Sequence, residues 1–239
     1  MSADELTRMR DLDRAAVLAA AEVACRVRPT DLGRATPCEG WTVAGLLTHL
    51  SIQHRGFAAA ARGDGGDLAI WAPRPPAPDP VADFLAATAD VLTSFAADGV
   101  GAVPFRLPEI STSVEFPADQ AMSFHFIDYV VHSWDLARSI GTHPTLSQPV
   151  LEAAWPVAQL VPDQARGRPG SPFGLLVPVP ADAPLLDRIV AHLGRHPDWS
   201  PPVIQESAVP EAASLYKRAS GLTWSNAGLP RRCRRACSA

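Results

Sequence analysis

Between Pro117 and Gly141 the chain holds one long run with helical periodicity, and its end is set by glycine, the residue that best tolerates the left-handed turn closing a helix. The spacing predicts a helix from about Pro117 to Ile140. Within it, His125, Asp128, His132 and Asp135 follow steps of three, four and three, so they lie along one face. The rest of the helix is rich in Phe126, Ile127, Tyr129, Val130, Val131, Trp134 and Leu136. A helix of this length, about 36 Å at 1.5 Å per residue, cannot bury apolar flanks alone. It must be covered by other helices, and a polar stripe enclosed in this way is costly unless its members pair or bind an ion.

The covering helices are legible elsewhere. Ser2 and Glu5 have capping-box spacing ahead of an Ala-rich segment, predicting a helix from about Ala3 to Arg28 with Leu12, Val17 and Leu18 among its inward residues. Thr42 is a candidate N-cap for a second helix through Leu46, Leu47, His49, Leu50 and Phe57. After a Gly- and Pro-rich loop over 63–78, Asp79 and Pro80 open a third helix to about Ala97. Residues 103–116 suggest a short hairpin or an irregular excursion. Shorter helices are expected near Leu151 to Leu160 and from Pro184 to Leu193, with residues 166–181 as loop. The expected class is mainly α: a four-helix bundle with short extra helices and a small β-hairpin. Composition shifts after Trp199, so the expected organisation is one helical domain over 1–199 followed by a disordered C-terminal tail over 200–239.

Hydrophobic residues make up 47% of the 239 residues, enough for a substantial core. The formal net charge of -4 gives no electrostatic support to a nucleic-acid partner. No apolar run reaches the roughly 20 residues of a membrane span, and the polar start MSADELTRMR does not read as a secretory signal. Cys25, Cys38, Cys233 and Cys237 show neither a disulfide framework nor paired CxxC spacing, which suits reduced thiols of a cytoplasmic protein.

Asp128 and His132, one turn apart, can both reach one cation, and carboxylate and imidazole are common zinc donors. A third donor must come from another helix. His49, set among Leu46, Leu47 and Leu50, is the leading candidate, whereas His54 lies about 140° further round the same helix. Simpler readings stand beside this one. An acid and a histidine at i,i+4 also occur as plain helix pairs. Asp135 and Arg138 read by default as an i,i+3 ion pair, His125 as a packing residue or a support for the ligands, and Cys38 as a thiol lining a loop or a reactive thiol. Either His125 or Asp135 could instead orient His132 through its other ring nitrogen. Cys233 and Cys237, with the arginines of 231–235, read as parts of a solvated tail.

Two stretches carry a family resemblance. Thr36-Pro37-Cys38-Glu39-Gly40-Trp41-Thr42-Val43 runs into Leu46-Leu47-Thr48-His49-Leu50, and Asp128-Tyr129-Val130-Val131-His132-Ser133-Trp134-Asp135-Leu136-Ala137-Arg138 ends at Gly141. With the segments Pro172-Phe173-Gly174 to Pro180 and Leu185 to Arg188, they make residues 5–199 similar to the DinB/YfiT-like superfamily, in particular its mycothiol-dependent maleylpyruvate isomerase N-terminal group. The resemblance implies a four-helix bundle holding a divalent metal, with zinc the expected ion, His49 at the first ligand position and His132 at the last. Asp128 stands where the isomerase group has Glu and other members have His, one methylene shorter than Glu. The isomerase also has a C-terminal domain that helps hold mycothiol, and no counterpart is expected beyond Trp199.

The function implied is a metal-dependent thiol transferase or isomerase, joining mycothiol or another small thiol to an electrophilic substrate, in a chain that could form a homodimer. Two alternatives belong to other classes. One is a metal-binding accessory or sensor module without catalysis. The other is a helical interaction protein whose polar stripe is a buried ion-pair network.

Overall fold

Seven α-helices and a two-stranded hairpin are present in a computed structural model, which describes residues 3–168 and 171–202. Four of the helices are long: α1 (Ala3–Ala24), α2 (Val43–Ala61), α4 (Pro80–Phe95) and α5 (Ala118–Ser139). The short α3 (Leu68–Trp71) lies inside the expected loop, while α6 (Gln148–Gln159) and α7 (Leu185–His192) follow the bundle. Mainly helical architecture was the expectation, and it holds.

Local signals account for the helix ends. The Thr42 side chain accepts a hydrogen bond from Gly45 N–H at 3.2 Å, and Asp79 accepts one from Ala82 N–H at 3.0 Å with Pro80 in the first turn. The end of α5 is a Schellman motif: Gly141 takes φ +73°, its N–H donates to Arg138 O, and Thr142 N–H donates to Ala137 O at 2.8 Å. At the other end of the chain, α1 stops at Ala24 rather than Arg28, because Pro29 opens a separate 3₁₀ turn and the residue before proline is pushed out of the helical region. The Ser2 half of the expected capping box lies outside the described residues, as do Cys233, Cys237 and the expected tail beyond 202.

In the bundle, α1 packs chiefly against α5 and α2 against α4, with lesser contacts of α1 on α4 and α2 on α5 closing the ring. Leu46, Leu47, Leu50, Phe84, Phe126 and Leu136 are fully buried at its centre, and Val17 joins them. Leu12 packs only partly, and Leu18 is half-buried. A second apolar cluster, with Phe57, Trp71, Phe95, Phe105 and Met122, fills the end nearest the hairpin. That hairpin pairs β1 (Phe105–Arg106) with β2 (Glu115–Phe116) antiparallel, turning both phenylalanines inward. Among the described residues, no helix is long and apolar enough to cross a membrane.

A chain of buried polar groups crosses this core. His125 Nδ1–H of α5 donates to Asp13 Oδ1 of α1 at 2.6 Å. His125 Nε2 lies 3.1 Å from His54 Nδ1 of α2, and His54 Nε2 lies 3.1 Å from the Thr88 hydroxyl of α4. One hydrogen-bonded line therefore ties all four long helices. Tyr129 stacks on His54 at 4.1 Å and donates its hydroxyl to Leu50 O, sealing the line from solvent. Burial, with the nearby His125 and Arg55, holds His54 well below the ordinary histidine range, so it is neutral at pH 7.

Candidate metal centre

The polar stripe of α5 divides between two places. Seven residues separate His125 from His132, and a rise of about 10.5 Å over that distance puts them at different depths although they share a face. His125 belongs to the buried line just described, and it packs against Phe57 and Phe95. It therefore packs rather than orienting His132.

The other three members gather near the first turns of α2. His132 Nε2 lies 3.2 Å from Asp128 Oδ1, and the His49 and His132 rings meet edge to face with centroids 5.5 Å apart. One ligand atom each from His49, Asp128 and His132 lie within 4.8 Å of one another. Donors to one tetrahedral zinc sit about 3.3 Å apart, given bonds of about 2.0–2.2 Å. The widest separation would have to close by no more than about 1.5 Å, which side-chain rotation can supply. The donor set, two imidazoles and a carboxylate, thus fits a divalent ion. Asp128 keeps 36% of its side chain exposed, so the cluster has an open side.

The loop before α2 completes the surroundings. Thr36 Oγ accepts from Cys38 N–H at 3.2 Å, and Thr36 N–H donates to Trp41 O, folding Thr36-Pro-Cys-Glu-Gly-Trp into a tight turn with Gly40 at φ +76°. That turn lays Trp41 against His49 with centroids 4.7 Å apart and sets Cys38 Sγ 4.0 Å from His132 Nδ1. On the same side Asp135 Oδ2 accepts from His132 Nδ1–H at 2.9 Å and from the Cys38 thiol at 3.4 Å. Cys38, His132 and Asp135 therefore form a second group of donor type. The expected ion pair of Asp135 with Arg138 does not form. Asp135 is fully buried and turns to His132, Cys38 and Arg195, whereas Arg138 donates twice to Trp199 O and covers the Trp134 ring. The i,i+3 spacing allowed that pair, but tertiary partners outcompeted it.

The electrostatics separate the two histidines. Burial, reinforced by His132, lowers His49 to about 4, leaving it a neutral donor at pH 7. Burial also opposes a charge on His132, but Asp128, by charge and hydrogen bond, and Asp135 and Cys38 outweigh it and raise His132 well above the ordinary histidine range. For Asp128, burial acts upward, yet the two imidazoles bring its carboxyl down to about 2. Without an ion, the cluster is a proton held between His132 and two carboxylates.

The matching family model is the mycothiol maleylpyruvate isomerase N-terminal domain, aligned over residues 13–137. The chain belongs to that family. The match runs from the first long helix through nearly all of α5, so it includes His49, Asp128 and His132. Two uncharacterized proteins of Mycobacterium tuberculosis, from strain CDC 1551 / Oshkosh and from strain ATCC 25618 / H37Rv, are each 32% identical over 181 residues. The alignment takes in 73% of this chain and 91% of each relative, so the similarity extends past the family domain toward α7. No solved structure matches the chain.

Of the three side chains that support His132 here, Asp135 was open to sequence reasoning as a residue able to orient His132, Cys38 was weighed only as a thiol, and Arg195 was missed. Asp135 was signalled by its place on the stripe, three residues after His132. Cys38 had only its position in the Thr36–Thr42 motif. Arg195 had no signal, because nothing in a sequence pairs positions 135 and 195.

Proposed function

We propose that His49, Asp128 and His132 bind one divalent metal ion, of which zinc suits the donors best, and that the centre serves a thiol transferase or isomerase using a mycothiol-type cofactor. The observation that carries this reading is the convergence of two imidazoles and one carboxylate from α2 and α5 within 4.8 Å. Family membership supports the thiol. A bound divalent ion would supply Lewis acidity and favour the thiolate form of a small thiol.

The chain's own residues set the stage for that chemistry. Three protein donors leave positions free for a small molecule, as in catalytic rather than structural zinc sites. The exposed edge of Asp128 gives the approach, and Trp41, 39% exposed beside His49, forms a flat apolar wall along it. Asp135 holds the far nitrogen of His132, which fixes the ring and leaves Nε2 toward the open side. The reading places the reaction in the cytoplasm, where small thiols stay reduced.

The test is turnover. Zinc-loaded protein, incubated with mycothiol and a small electrophilic acceptor, should convert the acceptor faster than His132→Ala protein, with free thiol consumed in a transfer and returned in an isomerisation. Loading with metal but no thiol-dependent conversion of the acceptor above the variant would favour a non-catalytic metal-binding module instead.

Metal affinity should also depend on pH with a definite sign. His132 carries a proton in the ion-free protein up to a pH well above 6.5, and that proton must leave when the ion binds. Affinity should therefore rise by about tenfold per pH unit from pH 5 to 7. Below about pH 4 His49 is protonated too, and the slope should steepen toward two protons. Chelator-competition titrations from below pH 4 to pH 8 measure this. A flat profile would exclude His132 as a ligand.

A further inference from the structure

The segment after α7 reaches the centre in a way the bundle motifs do not explain. At the end of α7, Gly194 takes φ +89° and donates to Ala191 O, while Arg195 N–H donates to Val190 O at 2.9 Å. This is a second Schellman turn, and it fixes Arg195 as the residue just past it. A Cβ on Gly194 would fall 2.4 Å from Gly174 Cα, so the Pro172-Phe-Gly174 segment and this turn meet backbone to backbone. The two glycines make the approach possible. They deliver the Arg195 side chain, 12% exposed, onto Asp135.

There the guanidinium is held on both sides. Arg195 Nη1 donates to Leu193 O at 2.9 Å and to Pro172 O at 3.5 Å, while Nη2 donates to Asp135 Oδ2 at 3.4 Å. Asp135 is fully buried, and its other oxygen, Oδ1, has no hydrogen-bond partner among the described residues. A buried carboxylate with one oxygen unpartnered depends on the contacts of the other. Those are His132, Cys38 and Arg195, and Arg195 alone is a cation anchored outside the bundle.

We propose that Arg195 is a positioning residue for the metal centre: it holds the Asp135 carboxylate so that Oδ2 keeps His132 Nδ1 and Nε2 faces Asp128 and His49. The inference rests on the metal-centre reading above. It adds that the segment carrying Pro172-Phe173-Gly174 and Gly194 is part of the site, although it lies outside the matched family domain. Arginine suits this task because a planar fork can hold a carboxylate and backbone carbonyls at once, which an ammonium does less well.

A double-mutant cycle tests it on the full chain. Zinc affinity is measured by chelator competition for wild type, Arg195→Gln, Asp135→Asn and the double variant. Arg195→Gln should weaken binding about 10-fold or more, within the 10–100-fold range of groups that support a ligand. Because Arg195 acts through Asp135, the double variant should be no weaker than Asp135→Asn alone. Arg195→Lys should recover part of the affinity. In ion-free protein, proton NMR should show the His132 Nδ1 proton as a downfield, slowly exchanging resonance that shifts or broadens in Arg195→Gln. A purely structural arginine would lower the melting temperature and leave affinity and this resonance unchanged, which overturns the proposal. Additive losses in the double variant also overturn it, since Arg195 would then act by another route. If wild type bound no zinc while the resonance responded to Arg195→Gln, the positioning role would stand and the metal reading would fall.

Discussion

His49→Ala and His132→Ala should each abolish stable metal binding, while Asp128→Asn should only weaken it. His49 is the sole member of the cluster contributed by α2, so its loss leaves α5 to hold an ion with one imidazole and one carboxylate. Loss of His132 is as severe for a different reason. It removes the central donor, whose Nε2 lies 3.2 Å from Asp128, and it strands the buried Asp135 that held its Nδ1. Asp128 keeps 36% of its side chain exposed against 8% for His132, and a water or its amide replacement could partly fill its place. Asp128→Glu should be tolerated or bind more tightly, because the added methylene closes part of a donor separation still wider than a zinc site needs. Chelator competition ranks all four variants. Wild-type affinity in His49→Ala would remove α2 from the centre and leave Cys38, His132 and Asp135 as the alternative group.

His125→Ala should strongly destabilise the fold and barely alter the metal affinity of the folded protein. Among the described residues, His125 is the hydrogen-bond partner of Asp13 Oδ1, and Asp13 Oδ2 has none. Removing the imidazole leaves a buried carboxyl without a partner, cuts the line joining α1, α5, α2 and α4, and opens a cavity beside Phe57 and Phe95. Breaking a buried pair in this way costs about 3–5 kcal/mol. In a domain of this size that corresponds to a fall of roughly 6–20 °C in melting temperature, at about 2–4 °C per kcal/mol. Thermal unfolding and zinc titration of the same preparation separate the two effects. A tenfold loss of affinity with an unchanged melting temperature would move His125 into the metal centre.

The sequence made the helices plain where caps and stops are local. Thr42, Asp79-Pro80 and Gly141 each act within a turn or two of themselves, and the structure places helix boundaries beside all of them. The grouping of Asp128 with His132 was legible for the same reason, and His49 was legible from a polar side chain among leucines. What stayed hidden depends on depth and on distant partners. Helical angle alone put His125 and His132 on one face, but only the rise along the axis, together with Asp13 and His54 on other helices, assigns His125 to the core. Asp13 stood in an Ala-rich helix like any solvated acid, and Thr88 gave no sign that its hydroxyl faces a histidine. Asp135 looked like a partner for Arg138 because that arginine is near in sequence. The arginine it uses is 60 residues away, behind a glycine-to-glycine contact that no period announces.

X-ray absorption spectroscopy of the zinc-loaded protein tests the metal centre most directly, because the two donor groups that share His132 differ in sulfur. Binding by His49, Asp128 and His132 requires a first shell of nitrogen and oxygen at about 2.0–2.2 Å, two imidazoles in the outer scattering, and no sulfur. A zinc–sulfur distance of about 2.3 Å with a single imidazole would contradict that assignment and seat the ion on Cys38, His132 and Asp135 instead.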